Sequence, residues 1–172
     1  FEPHSPYETH DGSTAAVDHA AILAQEPGYS YTQEEEDALR ALYAGEVAHT
    51  ARIIGDFLDR MKQVVGDRSL AIVFTSDHGE SLGDHGEETH SFFVYQSVIH
   101  VPMIFAHSSL RQGTVRDENV SLVDVMPTVL DLLGIEPPVF PPPARSLVAW
   151  LEGDSGAAVP ADAPAYFESW HP

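Results

Sequence analysis

The stretch Leu70-Ala71-Ile72-Val73-Phe74 runs directly into Thr75-Ser76-Asp77-His78-Gly79-Glu80-Ser81-Leu82-Gly83-Asp84-His85-Gly86. Its apolar first part, rich in β-branched residues, predicts a buried strand. The abrupt change at Ser76 predicts that this strand delivers a carboxylate and an imidazole to its carboxyl end. Open α/β sheets build their ligand sites at that edge. Asp77 and His78 supply one hard oxygen donor and one imidazole nitrogen, a mixed set that suits several divalent metals. Thirteen residues beyond Asp77 comes His90, in Glu88-Thr89-His90-Ser91. Gly79, Gly83 and Gly86 lie between the two and allow a tight reversal of the backbone. The loop is therefore predicted to return His90 toward the strand end that carries Asp77. Glu80, Asp84 and His85 on the same loop are candidates to brace the ligands.

Composition bounds the rest. At 172 residues with 43% hydrophobic content, one domain with a real core is the expectation. No stretch approaches the roughly 20 apolar residues of a membrane span. The chain starts at Phe1 without a basic-then-apolar leader, so no targeting signal is visible. Eight basic residues against 27 acidic ones give a formal charge of −19. Nucleic acid is not an expected partner, because its binding draws on Lys and Arg contacts to phosphate. The absence of cysteine excludes disulfides, thiolate metal sites and a cysteine nucleophile within these residues.

Along the chain, residues 1–32 show little periodicity and predict an irregular loop. Thr32 followed by Glu35 has the form of a capping box. Leu39, Leu42, Tyr43, Val47, Ile53, Ile54, Phe57, Leu58 and Met61 then recur at helical spacing. A helix over about 33–65 is predicted, with Gly45 or Gly55 as the place where it could break and Gly66-Asp67 as its end. The strand is placed at 70–76. Phe92–Ile99 predicts a short helix, and Val101–Phe105 a second strand with Pro102 near its start. Val115–Val120 reads as a strand or an extended connection. Val123–Leu133 is apolar at helical spacing, with Pro127 in its first turns and Gly134 as the stop. Pro137–Pro143 is a proline-rich linker. Arg145–Leu151 predicts a short helix, and Gly153–Pro164 a loop. Tyr166-Phe167-Glu168 would begin a further strand.

Other candidates are weaker. His4 sits between prolines in Pro3-His4-Ser5-Pro6-Tyr7, where a loop role is the plain reading. His10, His19, His49, His100, His107 and His171 lack supporting context and read as incidental. Arg145 reads as a structural cap or pair. Gly-x-Ser-x-Gly, Gly-x-x-x-x-Gly-Lys-Ser/Thr and His-Glu-x-x-His are all missing. No second acidic pair stands at another strand end, so the metal site as written is half a site.

Taken in order, these segments resemble the successive motifs of sulfatases. The matching strings are Phe1-Glu-Pro-His-Ser-Pro-Tyr7, Tyr43-Ala-Gly-Glu-Val47 with Ile54-Gly55, and Thr75-Ser-Asp-His-Gly-Glu-Ser-Leu-Gly-Asp-His-Gly86. Tyr95 with Val101-Pro102, Val120-Ser-Leu-Val-Asp-Val-Met-Pro-Thr128 with Leu132-Leu-Gly134, and Arg145-Ser146-Leu147 continue the series. The Asp-His-Gly-Glu-Ser-Leu-Gly string is characteristic of the wider alkaline phosphatase superfamily, and the later strings favour its sulfatase branch.

The resemblance implies an α/β, alkaline phosphatase-like layered fold: a central, mostly parallel or mixed sheet flanked by helices, present only in part. It implies a sulfuric ester hydrolase with a divalent metal, calcium foremost and manganese, zinc or magnesium as alternatives. It further implies a formylglycine nucleophile made from a Cys/Ser-x-Pro-x-Arg motif. By position, Asp77 and His78 correspond to metal ligands, where many sulfatases have Asp-Asn. His4 corresponds to the sulfate-contacting histidine, and His90 to a Lys or His that contacts substrate or leaving group. The implied partner is a sulfate-ester, or phosphate-ester, small molecule or glycan. A periplasmic or secreted location is the family's usual one.

Three departures accompany the match. No Cys/Ser-x-Pro-x-Arg occurs here, the family's first metal-binding Asp pair has no counterpart, and Ala51 stands where relatives often carry Asp. The expectation is that residues 1–153 form a carboxyl-side portion of a catalytic domain, with 154–172 a loop and truncated continuation, inert alone. Two alternatives stay open. One is phosphoryl transfer, as in phosphoethanolamine transferases or phosphonate and phosphodiester hydrolases; the other is a non-catalytic metal-binding module.

Overall fold

Thr32 caps the start of a long helix, and the cap is the predicted one. In this computed structural model the Thr32 hydroxyl accepts from Glu35 N at 3.3 Å, while Glu35 Oε2 accepts from Thr32 N at 2.8 Å. Glu34, Glu35 and Glu36 place negative charge on the first turn, where the helix dipole favours it. The helix then runs unbroken from Gln33 to Val65. Gly45 and Gly55 do not break it. Each costs about 1 kcal/mol relative to alanine, too little to interrupt a cooperative helix of this length. The helix ends at Gly66, whose N–H bonds Lys62 O at 3.0 Å.

The structure describes residues 3–10, 17–23, 31–87, 89–90, 92–136, 138–140, 143–154, 159, 165 and 167. The regular elements among them are helix α1 (His19–Leu23), helix α2 (Gln33–Val65) and strand β1 (Ile72–Thr75). Helix α3 (Gln96–Ile99), strand β2 (Met103–Ala106), helix α4 (Val125–Leu132) and helix α5 (Val148–Glu152) follow. They divide into two compact units, Phe1–Gly66 with Glu80–His90, and Asp67–Gly79 with Ser91–Pro172. None of these helices is long and apolar enough to cross a membrane.

In the first unit, Tyr7, Leu39 and Leu42 form the buried core, with Val17, Tyr31, Tyr43 and Leu82 packed against it. The amino-terminal half of α2 thus supplies the surface on which the Tyr7 segment settles. Helix α1 corrects the expectation of an irregular loop over 1–32, and its five residues are too few to show a period.

In the second unit β1 and β2 pair antiparallel, Ile72 opposite Ala106 and Thr75 opposite Met103. Met103 and Phe105 turn one face of β2 onto the core of Leu147, Trp150 and Val159. Both strands are shorter than their apolar runs, and β1 is not buried as expected: Ile72, Val73 and Thr75 are half-buried and Phe74 is exposed. The helix expected over Phe92–Ile99 is confined to Gln96–Ile99, and Val115–Val120 takes no regular structure. The strand expected from Tyr166 lies largely outside the described residues.

The segment Ser121–Thr128 is a structural hub. Asp124, almost fully buried, accepts from Ser121 N at 3.1 Å and from Arg145 N at 3.0 Å. Thr128 is wholly buried; its hydroxyl donates to Asp124 O at 2.6 Å and accepts from Leu147 N at 3.0 Å. These bonds tie the start of α4 to the Arg145-Ser146-Leu147 turn, which feeds Leu147 and Trp150 into the core. Gly134, at φ +65°, ends α4 in a Schellman arrangement, with Gly134 N on Asp131 O and Ile135 N on Leu130 O.

Thr128→Val keeps the shape of the side chain but orphans the buried Leu147 N–H. It is expected to destabilise the protein by about 1–3 kcal/mol in urea denaturation, with Thr128→Ser losing less. A Thr128→Val midpoint equal to wild type would contradict the hub.

Candidate active site

Asp77 and His78 follow β1 directly, as the sequence predicts, and lie with it in the second unit. The Asp77 side chain is 88% exposed. The little burial it has favours the protonated acid, but His78, the backbone N–H groups of Asp77 and His78, and the Ser76 hydroxyl outweigh it. Its carboxyl is held below the usual carboxylate range. The His78 ring donates from Nδ1 to Gly79 O at 2.9 Å, which puts the remaining ring lone pair on Nε2. That Nε2 lies 3.9 Å from Asp77 Oδ1. Ligand bonds of the common divalent ions run about 2.0–2.6 Å, so two atoms this far apart can serve one ion. Two donors are fewer than any of these ions takes.

Gly79 explains why the turn is built as Asp-His-Gly. Its N–H bonds Val98 O at 2.7 Å, and a Cβ at this position would lie 2.2 Å from Ser97 O. Backbone passes where any side chain would collide, so only glycine holds His78 in place.

The loop 80–90 closes on itself in the first unit. Ser81 N bonds Thr89 O at 2.8 Å and Gly83 N bonds Glu87 O at 3.0 Å. The Ser81 hydroxyl donates to Glu87 Oε2 at 3.1 Å, with both residues buried. Gly83 and Gly86, at φ +89° and +76°, supply the left-handed turns that this reversal needs. His90 is thereby returned to Glu80, and its Nδ1 donates to Glu80 Oε1 at 2.7 Å. Of the three bracing candidates, Glu80 meets a predicted site residue in this way. Asp84 instead binds Arg40 of α2 at 2.8 Å, and His85 is exposed.

His4 meets His90 edge to face, with ring centroids 5.8 Å apart. Its Nδ1 donates to Ser5 O at 2.8 Å. The segment that carries it is anchored by Tyr7, whose ring packs on Leu39 and Leu42 and meets Tyr43 edge to face at 5.4 Å. Burial, then the Glu80 carboxylate beside it, pushes the Tyr7 phenol far above its ordinary value. Tyr43 is raised by the same two causes.

Among the histidines read as incidental, His19, His10 and His49 meet partners far along the chain. His19 is buried; its Nδ1 accepts from Tyr7 N at 3.0 Å, which makes it the neutral Nε2–H tautomer, and burial lowers its pKa. His10 Nε2 donates to the buried Glu46 at 2.6 Å, and its ring stacks on His49 at 3.8 Å. Glu46 also accepts from Glu8 N at 2.8 Å. Burial alone would raise Glu46, but the Glu8 N–H, the His10 hydrogen bond and the two imidazoles bring it below its ordinary value. These partners stand 12 and more positions apart in the chain, and no local pattern signals them.

The sulfatase family profile matches residues 4–135. The chain belongs to the sulfatase family. Arylsulfatase K of Danio rerio is 29% identical over 119 residues, covering 69% of this chain and 23% of that protein. Endo-4-O-sulfatase of Bacteroides thetaiotaomicron is 27% identical over 139 residues, covering 77% of this chain and 27% of its own. The chain thus spans less than a third of the length of these relatives. Among solved structures, phosphonate monoester hydrolase SpPMH from Silicibacter pomeroyi superposes with TM-score 0.66 at 32% identity, covering 83% of this chain and 27% of its own. The structure of BT4656 with its substrate D-glucosamine-2-N,6-O-disulfate gives TM-score 0.59 at 28% identity, covering 69% and 24%. The α/β elements described above are therefore part of an alkaline phosphatase-like fold.

Because His19 titrates lower in the folded protein than its ordinary 6.5, the unfolded chain binds more protons between the two values. Stability must then rise with pH across that window and fall as the pH drops below about 6.5. Glu46 acts in the same direction lower down: its contribution is complete above its ordinary 4.5 and is lost as pH falls through its depressed folded value. Urea midpoints are expected to fall progressively from pH 7.5 to pH 4. His19→Gln should flatten the upper part of that fall, and a profile flat over the whole range would contradict both assignments.

Proposed function

We propose that this chain is the part of a metal-dependent sulfuric ester hydrolase that carries His4, Asp77, His78 and His90. The observation that carries the reading is the pairing of Asp77 with an Nε2-directed His78 at the end of β1, within a chain of the sulfatase family. The sulfated substrate bound in BT4656 and the relatives' names support a sulfate ester, of a glycan or smaller molecule, as the substrate.

Asp77 Oδ1 and His78 Nε2 would hold the divalent ion; the carboxylate suits calcium, magnesium or manganese, and the imidazole suits zinc. When bound, the ion supplies Lewis-acid stabilisation of charge on the ester oxygens. His4 and His90 bind and orient the sulfate group from their adjoining positions, His4 on the Tyr7-anchored segment and His90 on the neck of the 80–90 loop. A formylglycine does not fit within these residues. They hold no cysteine and no Ser-x-Pro-x-Arg, and these 172 residues alone are expected to be inert.

A second reading, phosphonate or phosphate ester hydrolysis, is favoured by the likeness to the phosphonate monoester hydrolase. The two share this chain's residues and differ in the reacting centre.

In the full-length protein, Asp77→Ala and His78→Ala are each expected to lower aryl sulfate kcat/KM by about 10²–10³-fold, the scale of losing one preorganised electrostatic contact. Calcium affinity, read by titration calorimetry, should weaken in parallel. Unchanged turnover and unchanged calcium binding in both variants would overturn the assignment.

A further inference from the structure

We propose that Glu80 is a positioning residue for His90, fixing its ring plane and its tautomer; the functional part of this inference rests on the reading of His90 as a substrate contact. The Glu80 side chain is only 5% exposed, a costly place for a carboxylate that has no specific task. Its Oε1 takes the Nδ1–H of His90 at 2.7 Å. Among the described residues its Oε2 is buried and, like the Tyr7 hydroxyl, has no partner at good hydrogen-bond geometry. Tyr7 is nevertheless near enough that the Glu80 charge adds to burial in suppressing ionisation of the phenol. The carboxylate is therefore confined on one side by the core tyrosine and committed on the other to His90.

The loop makes the pairing rigid. Glu80 and His90 stand just outside the Ser81–Thr89 backbone bond, at the neck of a closed loop that the buried Ser81–Glu87 contact reinforces. An imidazole on a surface loop would otherwise rotate about two side-chain torsions. Here the hydrogen sits on Nδ1, the form a free imidazole disfavours, and Nε2 becomes the nitrogen presented to a substrate. The same Tyr7 that confines Glu80 anchors the segment carrying His4, so one core residue sets both histidines.

The test combines tautomer and rate in the full-length protein. Nitrogen-15 histidine spectra should show His90 as the Nδ1–H form in wild type. Glu80→Gln, whose amide oxygen still accepts from Nδ1, should retain it, and Glu80→Ala should lose it. Aryl sulfate kcat should fall about 10–100-fold in Glu80→Ala, the usual cost of removing a residue that orients a site group, and less in Glu80→Gln. In a His90→Ala background, Glu80→Ala should cost little more, because the two act as one unit. Additive losses, or an unchanged His90 tautomer in Glu80→Ala, would overturn the proposal. If His90→Ala alone leaves turnover intact, the substrate-contact reading fails, and the spectra still decide whether Glu80 holds the ring.

Discussion

Glu80 keeps a carboxylate almost wholly out of water, and the hydrogen bond from His90 is what makes that position tolerable. Removing one partner of such a pair leaves the other buried and unmet, which costs far more than the pair contributes. The constraint propagates outward. The loop must close so that residue 90 returns to residue 80, which requires the left-handed turns at Gly83 and Gly86 and the Ser81–Glu87 contact inside the loop. Tyr7 must sit against the carboxylate, which requires the apolar surface of Leu39 and Leu42 on α2. In this way the helix cap at Thr32, the core and the placement of His4 belong to one arrangement.

The second unit solves a different problem by the same means. Asp124 and Thr128 are buried polar groups, each satisfied by backbone donors or acceptors from a distant turn. The Ser-Leu-Val-Asp-Val-Met-Pro-Thr string of this chain therefore needs no catalytic explanation: its Asp and Thr pin α4 to the Arg145–Leu147 turn. Gly79 is similar in kind. The close approach of Ser97 leaves no room for a side chain, and that steric fact fixes the residue after His78.

Much of this was legible in the sequence where the signal is local. The capping box at Thr32, the helix to Val65, the strand ahead of Asp77 and the stop at Gly134 all follow from spacing and turn chemistry. The closing of the 80–90 loop was legible from its glycines, and the pairing of Glu80 with His90 was not, because no spacing singles out that partner. The buried His19 and the His10–Glu46 pair were not legible, because burial depends on partners far along the chain. Helix α1 and the shortened α3 are too brief for periodicity to outweigh local preference. The break looked for at Gly45 or Gly55 of α2 is absent because glycine in a long helix lowers stability without interrupting it.

The central claim is that these histidines and ligands serve sulfuryl rather than phosphoryl chemistry. It is tested most directly by the full-length protein's kcat/KM for an aryl sulfate against the matching aryl phosphate. A clear preference for the sulfate is the predicted result. A clear preference for the phosphate would contradict the account and assign the same site to phosphoryl transfer.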